Sequence, residues 1–385
     1  VSETTANGRL RLALRTAGAT VIALIAGLLT AAPGLAAEAF AESSHFGPCG
    51  FYRNVLMSVD ATTGVWGGCA VSYEGGEWKL GSKFLEEFQD PVAISGDGLT
   101  LVTSSNEHGV QVYTRASQTE EWTFQTTLLA PILYQQPKAA LSADGDLLVA
   151  MRYKTKTEGK RSKQKVTYEP ERYAWERNGD TWEAIPAPEL SCNIPEVGLS
   201  ASGEIAMLAC GGQAQAFVRS GGGWNKQGAA IVGPDIGGYM ALAADGETAI
   251  FGDPFANKNK GEVSIFVRSG EEWKQQGPPI LEPIVKKQKA QNLFGARQAI
   301  DGDGDVALVG APGILEARRR EGKEPAKKYG AVYVLERSGE SWEVVQKLLP
   351  LKQEGSDEFG RSLAISESGE IALVARHGDL DVFTR

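Results

Sequence analysis

The sequence predicts an all-β chain in which one four-stranded antiparallel unit is repeated about seven times and closed into a ring. Three observations predict it. A short polar corner between two apolar strands recurs along the chain, six of the eight tryptophans fall at the same point behind a Gly turn, and no segment after the first forty residues keeps a helical period.

The first forty residues differ from the rest. Arg9, Arg11 and Arg15 precede an apolar run, Ala19 to Leu29, followed by Pro33 and small residues, the pattern of a secretory signal over residues 1–37. Cleavage is expected after Ala37 in Leu35-Ala36-Ala37 or a few residues later, leaving residues 38–385 as the repeat domain. The run is short and broken for a span of roughly 20 residues, although an uncleaved anchor is the rival reading. No second apolar stretch of spanning length follows.

Each repeat begins at its corner. Ser95-Gly96-Asp97-Gly98, Ser142-Ala143-Asp144-Gly145, Ser200-Ala201-Ser202-Gly203, Ala243-Ala244-Asp245-Gly246, Asp301-Gly302-Asp303-Gly304 and Ser366-Glu367-Ser368-Gly369 all separate short apolar strands, and Ser58 to Gly64 is a divergent copy. Gly supplies the positive φ of a tight turn, so each corner joins two antiparallel strands. An apolar second strand follows, such as Ala307-Leu308-Val309, then a third with alternating aromatic and aliphatic residues, such as Ala331-Val332-Tyr333-Val334. The third strand ends in a basic residue and a Gly turn that leads to a Trp, as in Arg219 to Trp224, Arg268 to Trp273 and Arg337 to Trp342; Trp78, Trp122 and Trp182 occupy the same place.

Such a meander cannot bury both faces alone, so the units must stack, and radial closure removes their long edges. A seven-bladed β-propeller is the expected architecture. Six blades remains an alternative, because the second and third strands of the first unit run together across Trp66 to Tyr73. The last copy stops after its third strand, and the N-terminal segment Phe46 to Asn54 is expected to supply the missing fourth.

Composition narrows the partners. Loss of residues 1–37 would take away three Arg and one Glu, moving the formal charge from -9 to -11. Bulk charge so acidic argues against nucleic acid. Four cysteines suit an oxidising compartment, with Cys49 pairing Cys69 and Cys192 pairing Cys210 expected from their equivalent places in the repeat. The protein is therefore expected to be secreted or held at the cell surface, and monomeric.

Phe294-Gly295 before a first strand, Gly310-Ala311-Pro312 after a second, and Phe359-Gly360 in the last copy resemble the FG-GAP repeat. That unit builds the seven-bladed propeller at the N-terminus of integrin α chains. The resemblance covers nearly all of residues 38–385 as a pattern, but both halves of the signature occur together only in the copy from Phe294. It implies the propeller fold and a binding, adhesion or scaffold role. In the integrin-type pattern some repeats hold Ca²⁺ in an Asp-rich loop, and the nearest match here is Asp301, Asp303 and Asp305. A plain surface turn is the alternative, and no other cofactor is implied.

Catalytic signatures are scarce. No G-x-S-x-G elbow, His-rich ligand cluster or phosphate-cradling Gly loop is present, and His45, His108 and His377 each read as loop residues. The chain is not expected to be an enzyme, with a polysaccharide-acting propeller enzyme as the alternative. Positive charge, by contrast, is collected. Lys154, Lys156, Lys160, Arg161, Lys163 and Lys165 form one cluster, Lys286, Lys287 and Lys289 a second, and Arg318, Arg319 and Arg320 with Lys323, Lys327 and Lys328 a third. Loops joining strands two to three, and four to the next blade, emerge on one face. That face is expected to be basic and to engage a protein or an anionic polysaccharide outside the cell, while the opposite, corner-bearing face should be acidic.

Overall fold

In each unit the second strand lies inside its sheet, and burial along its length is why Ile205–Cys210 and Val306–Ala311 are continuous apolar runs and not alternating ones, while Thr100–Ser105 is buried as fully with four hydroxyl residues. A computed structural model of the chain describes residues 39–47, 49, 54–85, 89–131, 137–158, 165–190, 196–234, 236–283, 292–313, 330–350, 358–376 and 378–385. The expected signal, residues 1–37, lies outside them. Contacts group Phe40–Thr384 as one unit.

Strand β1 is Ala41–Phe46. Blade 1 holds β2 (Val55–Met57), β3 (Thr63–Trp66), β4 (Cys69–Glu74) and β5 (Glu77–Lys83); blade 2 holds β6 (Asp90–Ile94), β7 (Thr100–Ser105), β8 (Gly109–Thr114) and β9 (Thr123–Leu129). Blade 3 holds β10 (Lys138–Leu141), β11 (Leu147–Glu158), β12 (Lys165–Asn178) and β13 (Thr181–Ile185); blade 4 holds β14 (Glu196–Leu199), β15 (Ile205–Cys210), β16 (Gln213–Ser220) and β17 (Gly223–Val232). Blade 5 holds β18 (Tyr239–Leu242), β19 (Thr248–Asp253), β20 (Glu262–Ser269) and β21 (Glu272–Gln275), with β22 (Ile280–Leu281) also pairing β20. Blade 6 holds β23 (Arg297–Ile300), β24 (Val306–Ala311), β25 (Ala331–Ser338) and β26 (Ser341–Leu348). Blade 7 holds β27 (Ser362–Ile365), β28 (Ile371–Ala375) and β29 (Leu380–Thr384), and β1 is its fourth strand.

The fold is a seven-bladed β-propeller of four-stranded antiparallel blades, not a six-bladed one. Blade 1 is complete because Gly67 and Gly68, at φ 56° and 89°, turn the chain between β3 and β4 where the sequence reads as one run. The closing strand comes from the N-terminal segment as expected, but earlier in the chain. It is Ala41–Phe46, antiparallel to β29, and not the stretch beginning at Phe46. Its polar sequence Ala-Glu-Ser-Ser-His-Phe carries little strand signal, because an outermost strand has only one side to bury.

Packing is concentrated between blades. Buried clusters join blades 3 and 4 through Met151, Leu208 and Phe217, blades 5 and 6 through Ile250, Phe294 and Val309, and blades 6 and 7 through Leu308, Phe359 and Val374. Trp66, fully buried, and Leu380 join blades 1 and 7. The Phe-Gly pairs act as wedges. Phe294 and Phe359 are fully buried against Tyr333 and Phe383, while Gly295 and Gly360, at φ 88° and 86°, turn the backbone over the preceding blade. A side chain on Gly310 would collide with the carbonyl of Gly360, so the Gly of Gly-Ala-Pro is the floor on which the next Phe-Gly rests.

The register of tryptophans has an equally local cause. Arg177 pairs across the hairpin with Trp182, Arg219 with Trp224, Arg268 with Trp273 and Arg337 with Trp342. Each Trp therefore lies over the third strand's last turn. Trp182 and Trp342 donate Nε1–H to Gln125 and Gln276 of the preceding blade, at 3.1 and 2.8 Å, tying outer strands together.

Candidate functional site

The corners build one face of the ring. The first residue of each corner is a buried Ser in five blades, and its hydroxyl accepts the amide hydrogen five residues on: Ser58 from Thr63, Ser95 from Thr100, Ser142 from Leu147, Ser200 from Ile205 and Ser366 from Ile371, all at 2.8 to 3.0 Å. A Ser cap of this kind satisfies a turn donor that would otherwise be buried without a partner. In blade 6 the place is taken by Asp301, only 3% exposed, whose Oδ1 accepts from the amides of Asp305 and Val306 at 2.9 and 3.0 Å.

Neighbouring corners are also bonded to each other. The amides of Asp60, Gly96, Ala143, Ala201, Asp245 and Gly302 donate in turn to the carbonyls of Gly96, Ala143, Ala201, Ala244, Gly302 and Glu367. The chain of bonds thus runs from blade 1 to blade 7 around the axis and fixes the rim. Within it lies a cavity of about 730 Å³, lined in part by Asp60, Ser202, Asp245, Asp303, Glu367 and Ser368. Four carboxylates at that mouth agree with the acidic face expected from sequence. Burial pushes the Asp245 carboxyl up, with Glu247 and Asp303 adding to it. At Asp60 burial is outweighed by hydrogen bonds from Ser58, Thr62 and Gln118, which hold the carboxyl below its ordinary range.

Asp301, Asp303 and Asp305, the expected Ca²⁺ ligands, are sent to three different tasks. Asp301 caps the turn, Asp303 lines the mouth, and Asp305 reaches Arg337 Nη1 at 3.5 Å. They do not form a converging ligand set. Burial, then the two neighbouring carboxylates, push the Asp301 carboxyl up to about 6 against the pull of the two amides.

On the opposite face blade 3 is unusual. Strands β11 and β12 stay paired from Leu147 with Glu176 out to Glu158 with Lys165, roughly 20 Å of ribbon beyond a six-residue strand such as β15. Lys154 and Lys156 are exposed on it. Lys165 stands in β12 opposite Glu158. Arg152, from the same basic run, is buried at the base, bonded to Glu171 at 2.7 Å and to the Ala130 carbonyl at 2.7 Å, and stacked on Tyr173. Lys160, Arg161, Lys163, Lys286, Lys287, Lys289, Arg318, Arg319 and Arg320 lie outside the described residues. Lys258 sits in a left-handed turn, with Asn257, Lys258 and Asn259 at φ 52°, 66° and 64°.

The closure seam holds a cluster that sequence reading missed, having taken His45 for a loop residue. His45 is in β1, and its Nδ1 lies 2.5 Å from Oδ1 of Asp381, whose side chain is fully buried. Arg376 Nε is 3.3 Å from Asp381 Oδ2, and Asp379 Oδ2 is 4.0 Å from His45 Nε2. Burial pushes the Asp381 carboxyl up, although His45 and Arg376 pull against it. Only the cross-strand register, 336 residues apart in sequence, brings these groups together. Nearby, Cys49 and Cys69 form the expected disulfide. Cys210 is also disulfide-bonded, and its expected partner Cys192 lies outside the described residues, as does His377. Among the described residues no helix is long and apolar enough to cross a membrane.

Compared with known families and with curated proteins, the chain matches no family model and no curated sequence.

Proposed function

We propose that the protein is a secreted, FG-GAP-like binding or scaffold propeller whose loop face engages an anionic polymer, an acidic polysaccharide above all, and that it is not an enzyme. The observation that carries this reading is the blade 3 ribbon. A β-ribbon that extends past its blade and exposes Lys154 and Lys156 on one edge of its sequence-basic run is a rigid mount for positive charge in an otherwise acidic chain. The Phe-Gly wedges and Gly310 floor support the FG-GAP comparison, and the disulfide supports an oxidising compartment. Retention on an immobilised polyanion such as heparin at low salt, lost when Lys154, Lys156, Lys160, Lys163 and Lys165 are changed to Gln, is the expected result. Failure of the unaltered protein to be retained would refute the reading.

A second reading draws on the other face. Asp60, Asp245, Asp303 and Glu367 meet at one end of the channel, and a carboxyl raised by burial, as at Asp245, suits a general acid in glycoside cleavage. Release of reducing ends from a polysaccharide panel, abolished by Asp245→Asn, would favour this enzyme over the binding module.

A further inference from the structure

In an unbroken strand residues three apart point to opposite faces. Glu42 and His45 are three apart, yet a bulge between Glu42 and Ser44 leaves Ser43 out of the cross-strand register, its hydroxyl donating to the Val382 carbonyl of β29 at 3.3 Å, and returns both to one face. It is the face of Asp381, which pairs directly with His45, while Glu42 pairs with Phe383, two residues further along the same strand. One ligand atom from each of Glu42, His45 and Asp381 lies within 4.8 Å of the other two. Asp381 Oδ2 is buried and meets Arg376 Nε at 3.3 Å as an ion pair without hydrogen-bond geometry. Asp379 stands at the edge of the cluster, 4.0 Å from His45 Nε2.

One imidazole and two carboxylates form a mixed nitrogen and oxygen set, which suits a borderline divalent ion better than Ca²⁺ or Mg²⁺. We propose that Glu42, His45 and Asp381 bind a divalent transition-metal ion of the Zn²⁺ class, which pins the first strand of the propeller to the last. The ion takes His45 Nδ1 and an oxygen from each carboxylate, with water completing the shell. The imidazole hydrogen then resides on Nε2, facing Asp379, the carboxylate–histidine–metal arrangement that fixes ring orientation. For bonds near 2.0–2.1 Å in a tetrahedron, Nδ1 and Oδ1 must open to about 3.3 Å, which requires His45, on the outermost strand, to shift. Arg376, now 3.2 Å from Nδ1, keeps its place beside Asp381 Oδ2 and Asp379.

The test uses the full chain without a polyhistidine tag, stripped by chelator and titrated calorimetrically with ZnCl₂. One Zn²⁺ per chain, a rise in melting midpoint on saturation and no such rise with CaCl₂ are expected. Glu42→Gln and His45→Asn should each weaken Zn²⁺ by tenfold or more. Glu42 is only partly buried, so its variant is expected to fold even if His45→Asn loosens the seam. Absence of Zn²⁺ binding below millimolar, or wild-type affinity in a folded Glu42→Gln protein, would overturn the proposal.

Discussion

At the scale of single residues, Asp301 is the odd member of the corner series, a carboxylate where five blades use Ser. Its folded pKa of about 6 lies above the ordinary aspartate value, so the native state holds a proton that the unfolded chain releases between about pH 4 and 6. Stability from this group is therefore greatest below pH 4, falls as pH rises through 6, and is constant above it. Asp301→Asn keeps the Oδ1 acceptor for the Asp305 and Val306 amides and removes the buried charge. It should stabilise the protein by about 3 kcal/mol at pH 8 and by almost nothing at pH 4, measured as the difference in denaturant midpoint at the two values. Gly261 is the opposite kind of residue. It has φ 86°, and a Cβ there would collide with the Phe294 carbonyl. Gly261→Ala should cost more than about 3 kcal/mol, from strain added to a displaced wedge, and should appear as a lowered melting midpoint or loss of folded yield.

Elements show why part of this molecule was legible in its sequence and part was not. Corners, apolar second strands and Trp-bearing fourth strands are set by neighbours within a few positions, and each copy confirms the others; Arg219 to Trp224 is a turn in any context that permits strands. Strand β1 has no such support. Its partner β29 is at the other end of the chain, and its polar residues resemble a linker. The β11–β12 ribbon is likewise hidden, because a long charged connection and a long charged hairpin have similar composition. Site residues divide in the same way: the acidic mouth follows from the corner repeat, whereas His45, Asp381 and the bulge at Ser43 depend on long-range register. The disulfide belongs to this scale too. It closes a loop of 20 residues between the segment after β1 and the start of β4, so Cys49→Ser with Cys69→Ser should lower stability by about 3 kcal/mol. Urea unfolding with and without reductant would check this, the wild type alone responding to the reductant at this site.

The whole molecule depends on one seam. Every blade but the seventh is made from consecutive strands, and the seventh is completed by β1 beside β29. Removal of residues 1–46 would bare the edge of β29 and take Phe40 out of the buried cluster that holds Phe383. The truncated protein should melt well below the full chain and self-associate, read by size-exclusion chromatography, because an uncovered strand edge recruits other chains. The junction between blades 1 and 2 adds polar contacts to the stacking of Phe84 on Trp122. Arg115 donates to Thr63 at 2.7 Å, Gln118 to Asp60 at 2.7 Å and Asn54 to the Pro91 carbonyl at 3.1 Å, and Arg177 repeats the Arg-to-Thr bond on Thr100 at the next junction at 3.2 Å.

The same seam sets a waiting time. His45 cannot meet Asp381 until 336 further residues have been made, which at about 5–20 residues per second takes from roughly 20 s to roughly a minute. Through that interval the first strand is an unpaired segment among nascent blades, each offering an edge for misplaced pairing. A strand spelled Ala-Glu-Ser-Ser-His-Phe is poorly sticky, and one whose His45 meets Arg376, Asp379 and Asp381 at the far end of the chain has little to gain from any other edge. The weak strand signal that hides β1 in the sequence is thus also what lets it remain uncommitted until its own partner arrives.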